Sequence, residues 1–239
     1  MLAKLGITTH RHETEVRSTM EIALDLATSR QTSVLVTADR QTGGRGRAGR
    51  TWHSSGGGLH FSLGLWRPAL RPPNLYILAA SLATVGILNA IGVRARIRWP
   101  NDVLATWWDG ERKISGAIAE VHGDVLVLGV GINVKGRVAD WPEDLRKSAV
   151  TLEDLAIDAE RFDLLAAWLT RLDRRALSSG RLIEEYTLHC GTIGRRVQAT
   201  LRDSTVEGEA VGISPDGFLL VREAGGDRTI EDCRLLREL

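Results

Sequence analysis

The 239-residue sequence predicts an α+β fold, with a sheet packed by helices and a small β module at its C-terminal end. Three observations carry this. Helix and strand signals interleave up to about residue 190. The stretch 93–134 is almost wholly β in pattern. After Cys190-Gly191 the texture changes to short strands separated by turn residues.

The elements follow in order. Ser18-Thr19-Met20-Glu21 has the form of a capping box ahead of Ile22, Leu24 and Leu26, so a helix is predicted over 18–29. Ser33-Val34-Leu35-Val36-Thr37 is a β-branched run and hence a strand. A Gly/Arg loop comes next, then an alternating, half-buried strand over 59–66. Pro72-Pro73 opens a long helix, with Leu75, Leu78, Leu82 and Val85 at helical spacing on one face and Gly92 as its stop. Residues 94–99 lead as a strand into the Pro100-Asn101-Asp102 break. The runs 103–108 and 113–121 flank Asp109-Gly110, a hairpin turn signal, and His122-Gly123-Asp124 turns into a buried strand over 125–130. Helices are predicted over 161–178, with Leu164, Leu165, Trp168 and Leu172 as the apolar stripe, and over 181–189. Short strands near 195–201, 207–213, 217–221 and 227–231 suggest a small barrel. The domains are therefore placed at 1–190 and 191–239. A module of about 50 residues is small for independent stability and is expected to lean on the first domain.

Composition excludes several function classes. A net charge of +1 argues against wholesale attraction to nucleic acid or to a membrane surface. Cys190 and Cys233 make neither a metal-ligand pattern nor a disulfide framework, which suits reduced thiols in a cytoplasmic protein. The apolar run Leu2-Ala3-Lys4-Leu5 is too short for a signal peptide. Ser81, Thr84, Gly86 and Asn89 interrupt the most apolar region, which reads as a buried helix rather than a membrane span. The histidines show no metal spacing, and neither Gly-x-Ser-x-Gly nor a Walker phosphate loop occurs, so a hydrolase or a P-loop enzyme is disfavoured.

Chemistry is concentrated in a few short motifs. Gly43-Gly44-Arg45-Gly46-Arg47-Ala48-Gly49-Arg50-Thr51-Trp52 alternates a flexible backbone with fixed cationic forks, and it reads as a loop that orders around an anion. It contains the letters G-x-G-x-x-G, but no helix can open at Arg50-Thr51-Trp52-His53-Ser54-Ser55-Gly56, so the dinucleotide-binding reading fails. A solvated charged loop and a single-strand nucleic-acid grip remain as alternatives at this point. Ser18 and Thr19 either cap their helix or hold a polar head group at its free N–H groups. Arg98-Trp99-Pro100-Asn101-Asp102 is more than a turn requires, and Asp102 offers oxygen ligation to a magnesium ion. Lys113 stands almost alone in an arginine-rich chain, either solvated or aimed at a carboxylate or phosphate. Gly129-Val130-Gly131-Ile132-Asn133 ends an apolar strand with glycines that permit close backbone approach, and with an amide that either binds ligand or finishes a turn.

Taken together and in order, Glu15-Val16-x-Ser18-Thr19, Gln41-x-Gly43-Gly44-Arg45-Gly46-Arg47-x-Gly49-Arg50-x-Trp52, Trp99-Pro100-Asn101-Asp102, Lys113-x-x-Gly116 and Gly129-x-Gly131-Ile132-Asn133 resemble the biotin protein ligases. The resemblance covers nearly the whole chain. It implies a mixed sheet packed by helices, related to class II aminoacyl-tRNA synthetases, with a small C-terminal SH3-like β-barrel. It also implies a two-step reaction. ATP and biotin form biotinyl-5′-AMP, and a lysine of a biotin carboxyl carrier domain then takes the biotinyl group.

Carried over position by position, Ser18, Thr19 and Gln41 would hold the polar ring of biotin, with Met20 beside them where the family usually has Asn. Arg45, Gly46 and Arg47 would close over the carboxylate and the α-phosphate, and Lys113 would bind the reacting oxygens. Arg45, Arg47 and Lys113 are thus the expected catalytic groups. Trp52 and Arg50 would lie by the nucleotide, with Asn101, Asn133 and a Mg²⁺ held through Asp102. Arg98 stands where the family usually has Lys. Residues 1–17 carry no helix-turn-helix pattern, so a ligase without the DNA-binding repressor function of some relatives is expected, acting on no specific DNA and no membrane. A homodimer is compatible with this reading. A lipoate-protein ligase of the same superfamily would share the fold and Lys113, but Gln41 with the Gly/Arg loop favours biotin. The neutral net charge counts against a nucleic-acid-binding module.

Overall fold

A computed structural model of the chain describes residues 6–54, 56–68, 72–175 and 179–239. Its centre is a seven-stranded sheet built from β1 (Ile7–Val16), β2 (Ser33–Gln41), β3 (Leu59–Trp66), β4 (Ala95–Arg98), β5 (Asp102–Trp107), β6 (Gly110–His122) and β7 (Val125–Ile132). The order across the sheet is β1-β2-β3-β7-β6-β5-β4. Only β1 and β2 run parallel, and every other pairing is antiparallel, so the sheet is mixed.

Alternation along the strands divides the apolar residues between two faces. Leu126, Leu128, Val130 and Ile132 of β7 join one core with α2 (Pro73–Ala90), α4 (Arg161–Arg175) and α5 (Ser179–His189). Val125 and Val127 of the same strand join Ala23, Leu26 and Ala27 of α1 (Thr19–Arg30) in a second core. Helices therefore cover both faces, which is why β7 is buried at every position. The close approach of α1 depends on Gly64 of β3, where a Cβ would meet the Ala23 carbonyl oxygen at 2.5 Å.

The long helix departs from the expected single apolar stripe. Thirteen of its eighteen residues are buried, because α2 lies between the sheet and α4 and α5. Its interior hydroxyls bond within the helix, Ser81 to the Ile77 carbonyl at 3.0 Å and Thr84 to the Ala80 carbonyl at 2.9 Å. By length and composition α2 is the one described helix that could cross a membrane, and its burial accounts for that apolar character.

After α5 the chain forms a five-stranded antiparallel sheet from β8 (Arg196–Thr200), β9 (Thr205–Ile213), β10 (Leu219–Glu223), β11 (Gly226–Ile230) and β12 (Leu235–Glu238), in the order β11-β10-β9-β8-β12. Its apolar side, with Val197, Ala199, Leu219 and Val221, is continuous with the core of the larger sheet.

Several elements differ from the expectations. Strands β1 and β12 and the one-turn helix α3 (Glu143–Arg146) had no pattern marking them. Both strands lie at sheet edges, where one side faces solvent and no apolar run is needed. In the β5–β6 hairpin Trp107 pairs with Gly110, so the two-residue turn is Trp108-Asp109, with Gly110 at a φ of 144° just after it. The predicted helix over 161–178 is seen as Arg161–Arg175, and 176–178 lie outside the described residues. The capping box is half realised. The Ser18 hydroxyl accepts from the Met20 amide at 3.3 Å, while Glu21 faces Arg17 at 3.7 Å.

Candidate active site

Ser18, Thr19, Met20, Gln41, Arg45, Gly46, Arg47, Arg50, Trp52, Asn101, Asp102, Lys113 and Asn133 all line one pocket of about 310 Å³, on the α1 side of the main sheet at the N-terminal end of that helix. The sheet can carry a pocket there because three of its floor positions are glycines. A Cβ on Gly131 would lie 2.5, 2.6 and 2.7 Å from the Cε2, Cζ2 and Nε1 atoms of Trp52. On Gly129 it would lie 2.8 Å from the Met20 sulfur, and on Gly116 3.1 Å from Cε of Lys113. The missing side chains are what allow Met20, Trp52 and Lys113 to lie flat against the strands. The Trp52 indole N–H is buried there without a hydrogen-bond partner.

One end of the pocket is neutral and hydrogen-bonding. The Thr19 amide and hydroxyl both donate to Oε1 of Gln41, at 2.9 and 3.1 Å, and the Thr19 hydroxyl meets that of Ser62 at 2.7 Å. The Gln41 amide donates to the Ser54 hydroxyl at 2.9 Å. Ser18, Thr19 and Ser62 are almost wholly buried. The helix start that Ser18 caps thus opens on the pocket, with the Gln41 side-chain carbonyl taking the Thr19 donors.

The other end is cationic. Lys113 on β6 places its ammonium 2.5 Å from Oδ1 of Asp102, whose Oδ2 receives Arg98 at 2.7 Å. Burial by itself would raise the Asp102 pKa. The charges of Lys113 and Arg98 outweigh it and hold the carboxyl below its ordinary value. The same ammonium lies 5.5 Å from the centre of the Trp52 ring.

Over this end folds the Gly/Arg loop, and it is an ordered hairpin. Trp52 N–H donates to the Gly44 carbonyl at 2.9 Å, Gly46 N–H to Arg50 at 2.7 Å, and Arg50 N–H to Arg47 at 3.2 Å. Ala48 and Gly49 turn the tip with φ values of 53° and 73°. Its root is tied to the entry of α1 by Gly43 N–H on the Arg17 carbonyl at 2.8 Å. Arg45 reaches Glu120 of β6 at 3.3 Å, while Arg47 pairs with Asp232 and donates to Oδ1 of Asn101 at 3.3 Å. Arg50 turns back onto the Arg47 carbonyl at 3.2 Å.

Asn101 and Asn133 line the pocket and also stitch it together. Asn101 donates to the Ala117 carbonyl at 2.9 Å, and Asn133 to the carbonyls of Val150 at 3.1 Å and Lys113 at 3.3 Å. Sequence reasoning passed over the wall beyond them, formed by His53, Trp141, Leu145, Ser148 and Ala149. His53 packs on Trp141 with ring centres 4.9 Å apart, and burial lowers its pKa against a weaker opposing effect of Asp144. Ser62 was also passed over. A hydroxyl between Phe61 and Leu63 in a mostly apolar strand was the signal for it.

The donor set does not fit a magnesium ion held by protein side chains. Both carboxylate oxygens of Asp102 are engaged by cations, and no three His, Cys, Asp or Glu side chains cluster as a metal site among the described residues. Asp102 serves here as the counter-ion of Lys113.

The chain is similar to known proteins over most of its length. Residues 14–136 match the Biotin/lipoate A/B protein ligase family, and residues 192–232 match the Biotin protein ligase C terminal domain. The chain is 33% identical over 232 residues to the bifunctional ligase/repressor BirA of Bacillus subtilis, covering 89% of this chain and 69% of that protein. It is 30% identical over 236 residues to the biotin–[acetyl-CoA-carboxylase] ligase of Paracoccus denitrificans, covering 89% of this chain and 94% of that one. Among solved structures, biotin protein ligase from Aquifex aeolicus in complex with biotin and ATP superposes with a TM-score of 0.85 at 29% identity, over 98% of this chain and 100% of that one.

Proposed function

Because this chain belongs to the biotin/lipoate A/B protein ligase family, we infer that it is a biotin–[biotin carboxyl-carrier protein] ligase. It activates biotin with ATP and passes the biotinyl group to a lysine of the carrier domain of a biotin-dependent carboxylase. One observation carries the reading. A neutral hydrogen-bonding end and a cationic end share one glycine-floored pocket, and the chain continues into a region matching the biotin ligase C-terminal domain. The second part of that observation favours biotin over lipoate.

In the first step an oxygen of the biotin carboxylate attacks the α-phosphorus of ATP. The bond to the β-phosphate breaks, and pyrophosphate leaves with its electron pair. Negative charge gathers on the transferring phosphoryl group, and Lys113, Arg45 and Arg47 are fixed cations at that end of the pocket. Preorganised donors of this kind each contribute about 10²–10³ in rate. In the second step the carrier lysine, as free amine, attacks the acyl carbon. The bond to the phosphate oxygen breaks, AMP leaves, and the new amide loses the extra proton to solvent. No protein nucleophile takes part.

We assign Ser18, Thr19, Gln41 and Met20 to the biotin ring. Arg45, Gly46 and Arg47 go to the acyl-phosphate, and Trp52, Arg50, Asn101 and Asn133 to the nucleotide. ATP enters as its magnesium complex. The pairs Arg45–Glu120, Lys113–Asp102 and Arg47–Asp232 support this, since each cation already holds an anionic oxygen that a substrate would replace or join. An ordered loop over the adenylate also keeps water from the mixed anhydride. We further read the larger sheet as class II synthetase-like, the five-stranded sheet as an SH3-like module spanning 191–239, and the setting as cytoplasmic. The test is pyrophosphate release with ATP, Mg²⁺ and either biotin or lipoate. Release with biotin alone is expected, and release with neither would end the ligase assignment.

A further inference from the structure

We propose that Tyr186 is a positioning residue for the nucleotide-handling end of this site, acting through the Pro100 carbonyl on Asn101. This rests on the ligase reading above.

Pro100 has no N–H, so its carbonyl is the one main-chain hydrogen-bonding group by which it can be pinned. That carbonyl accepts from the Tyr186 hydroxyl at 2.9 Å, and Tyr186 on α5 is fully buried. Fixing the carbonyl fixes the plane of the Pro100–Asn101 peptide, and with it the direction in which the Asn101 side chain leaves the backbone. Asn101 is then held between the Ala117 carbonyl at 2.9 Å and Arg47 at 3.3 Å. The next residue, Asp102, is the counter-ion of Lys113.

The Asn101 carbonyl accepts from the Ala117 amide at 3.3 Å on its C-terminal side, and two further supports of this loop act on Trp99. Its amide donates to the Thr192 hydroxyl at 3.0 Å and its indole N–H to the Gly217 carbonyl at 3.1 Å. Tyr186 thus holds the peptide on the N-terminal side of Asn101, and it comes from the core on the opposite face of the sheet. Burial raises the pKa of its hydroxyl well above the ordinary tyrosine value, so it remains a donor throughout the working pH range.

Tyr186→Phe keeps the ring and its packing and removes the hydroxyl, which donates to Pro100 and also meets the Cys190 thiol. The KM for ATP is expected to rise by roughly tenfold, the scale of one unmade buried hydrogen bond, while the KM for biotin stays within about twofold, since its proposed site lies at the other end of the pocket. A double-mutant cycle with Asn101→Ala separates positioning from general destabilisation. If Tyr186 acts through Asn101, the double variant is no worse than Asn101→Ala alone. Losses that multiply, an unchanged KM for ATP, or equal losses for both substrates would each overturn the proposal. The wild-type protein is assayed first for biotin-dependent ATP–pyrophosphate exchange. Its absence would remove the ligase reading, and this proposal with it. Its presence with an unperturbed Tyr186→Phe variant would remove this proposal alone.

Discussion

Gly129 and Gly131 lie two residues apart on one face of β7, and the same substitution at each should injure a different substrate. An alanine Cβ at Gly131 would sit 2.5–2.7 Å from three atoms of the Trp52 ring, whereas such contacts normally lie near 3.5–4 Å. The ring has to withdraw by about 1 Å, and it is rigid, so it lifts off the sheet and away from Lys113. Forced repacking on this scale costs about 1–3 kcal/mol, which at 1.4 kcal/mol per decade is roughly a 5- to 150-fold loss. With Trp52 on the nucleotide, the loss falls on the KM for ATP. At Gly129 the clash is with the Met20 sulfur at 2.8 Å and Cγ at 2.9 Å, the far end of a flexible side chain. Gly129→Ala should therefore be milder and should raise the KM for biotin. The assay is initial-rate pyrophosphate release with each substrate varied in turn, beside a urea titration to show that both variants are folded. An unchanged KM for ATP in Gly131→Ala, or the same constant raised by both variants, would refute this assignment of the two glycines.

Three further outcomes are expected. Lys113→Ala should slow adenylate formation by about 10²–10³ in single-turnover measurements, and Lys113→Arg should not restore it, because a planar fork cannot replace a point charge beside Asp102. Arg47→Ala frees the loop from Asn101 and Asp232, so retained biotinyl-AMP should dissociate faster and bystander lysines should become labelled, as read by blotting with streptavidin. Asp102→Asn should destabilise the protein in a pH-dependent way. The folded pKa of Asp102 lies below the unfolded value of about 3.9. Its stabilisation is thus fully present above that value and lost as pH falls through the lowered one. The gap in melting temperature between wild type and variant should be widest near neutrality and close on acidification; a gap that widens in acid would contradict the sign.

What the sequence made legible follows physical range. Ser18, the Gly/Arg loop, Lys113 and the Gly129–Asn133 strand end are local signals, since caps, loop flexibility and strand alternation need only neighbours. One pocket is lined by residues from each of these motifs. What stayed hidden depends on distant partners. Trp141 and His53 meet across the pocket wall, and nothing near either announces the other. Strand β1 is mostly polar because it is an edge. Tyr186 carries no local signal, and the carbonyl to which it donates is 86 positions away. Asp102 stood in the sequence as a carboxylate open to magnesium, and the partners that pairing of the strands brings to its two oxygens, Arg98 and Lys113, had no local sign.

The most direct test of the account is intact-mass spectrometry of an apo biotin carboxyl carrier domain incubated with this protein, ATP, Mg²⁺ and biotin. One biotinyl increment is expected, on a single lysine, dependent on ATP and absent when lipoate replaces biotin. A carrier domain of unchanged mass, under conditions in which a known biotin protein ligase modifies it, would contradict the account.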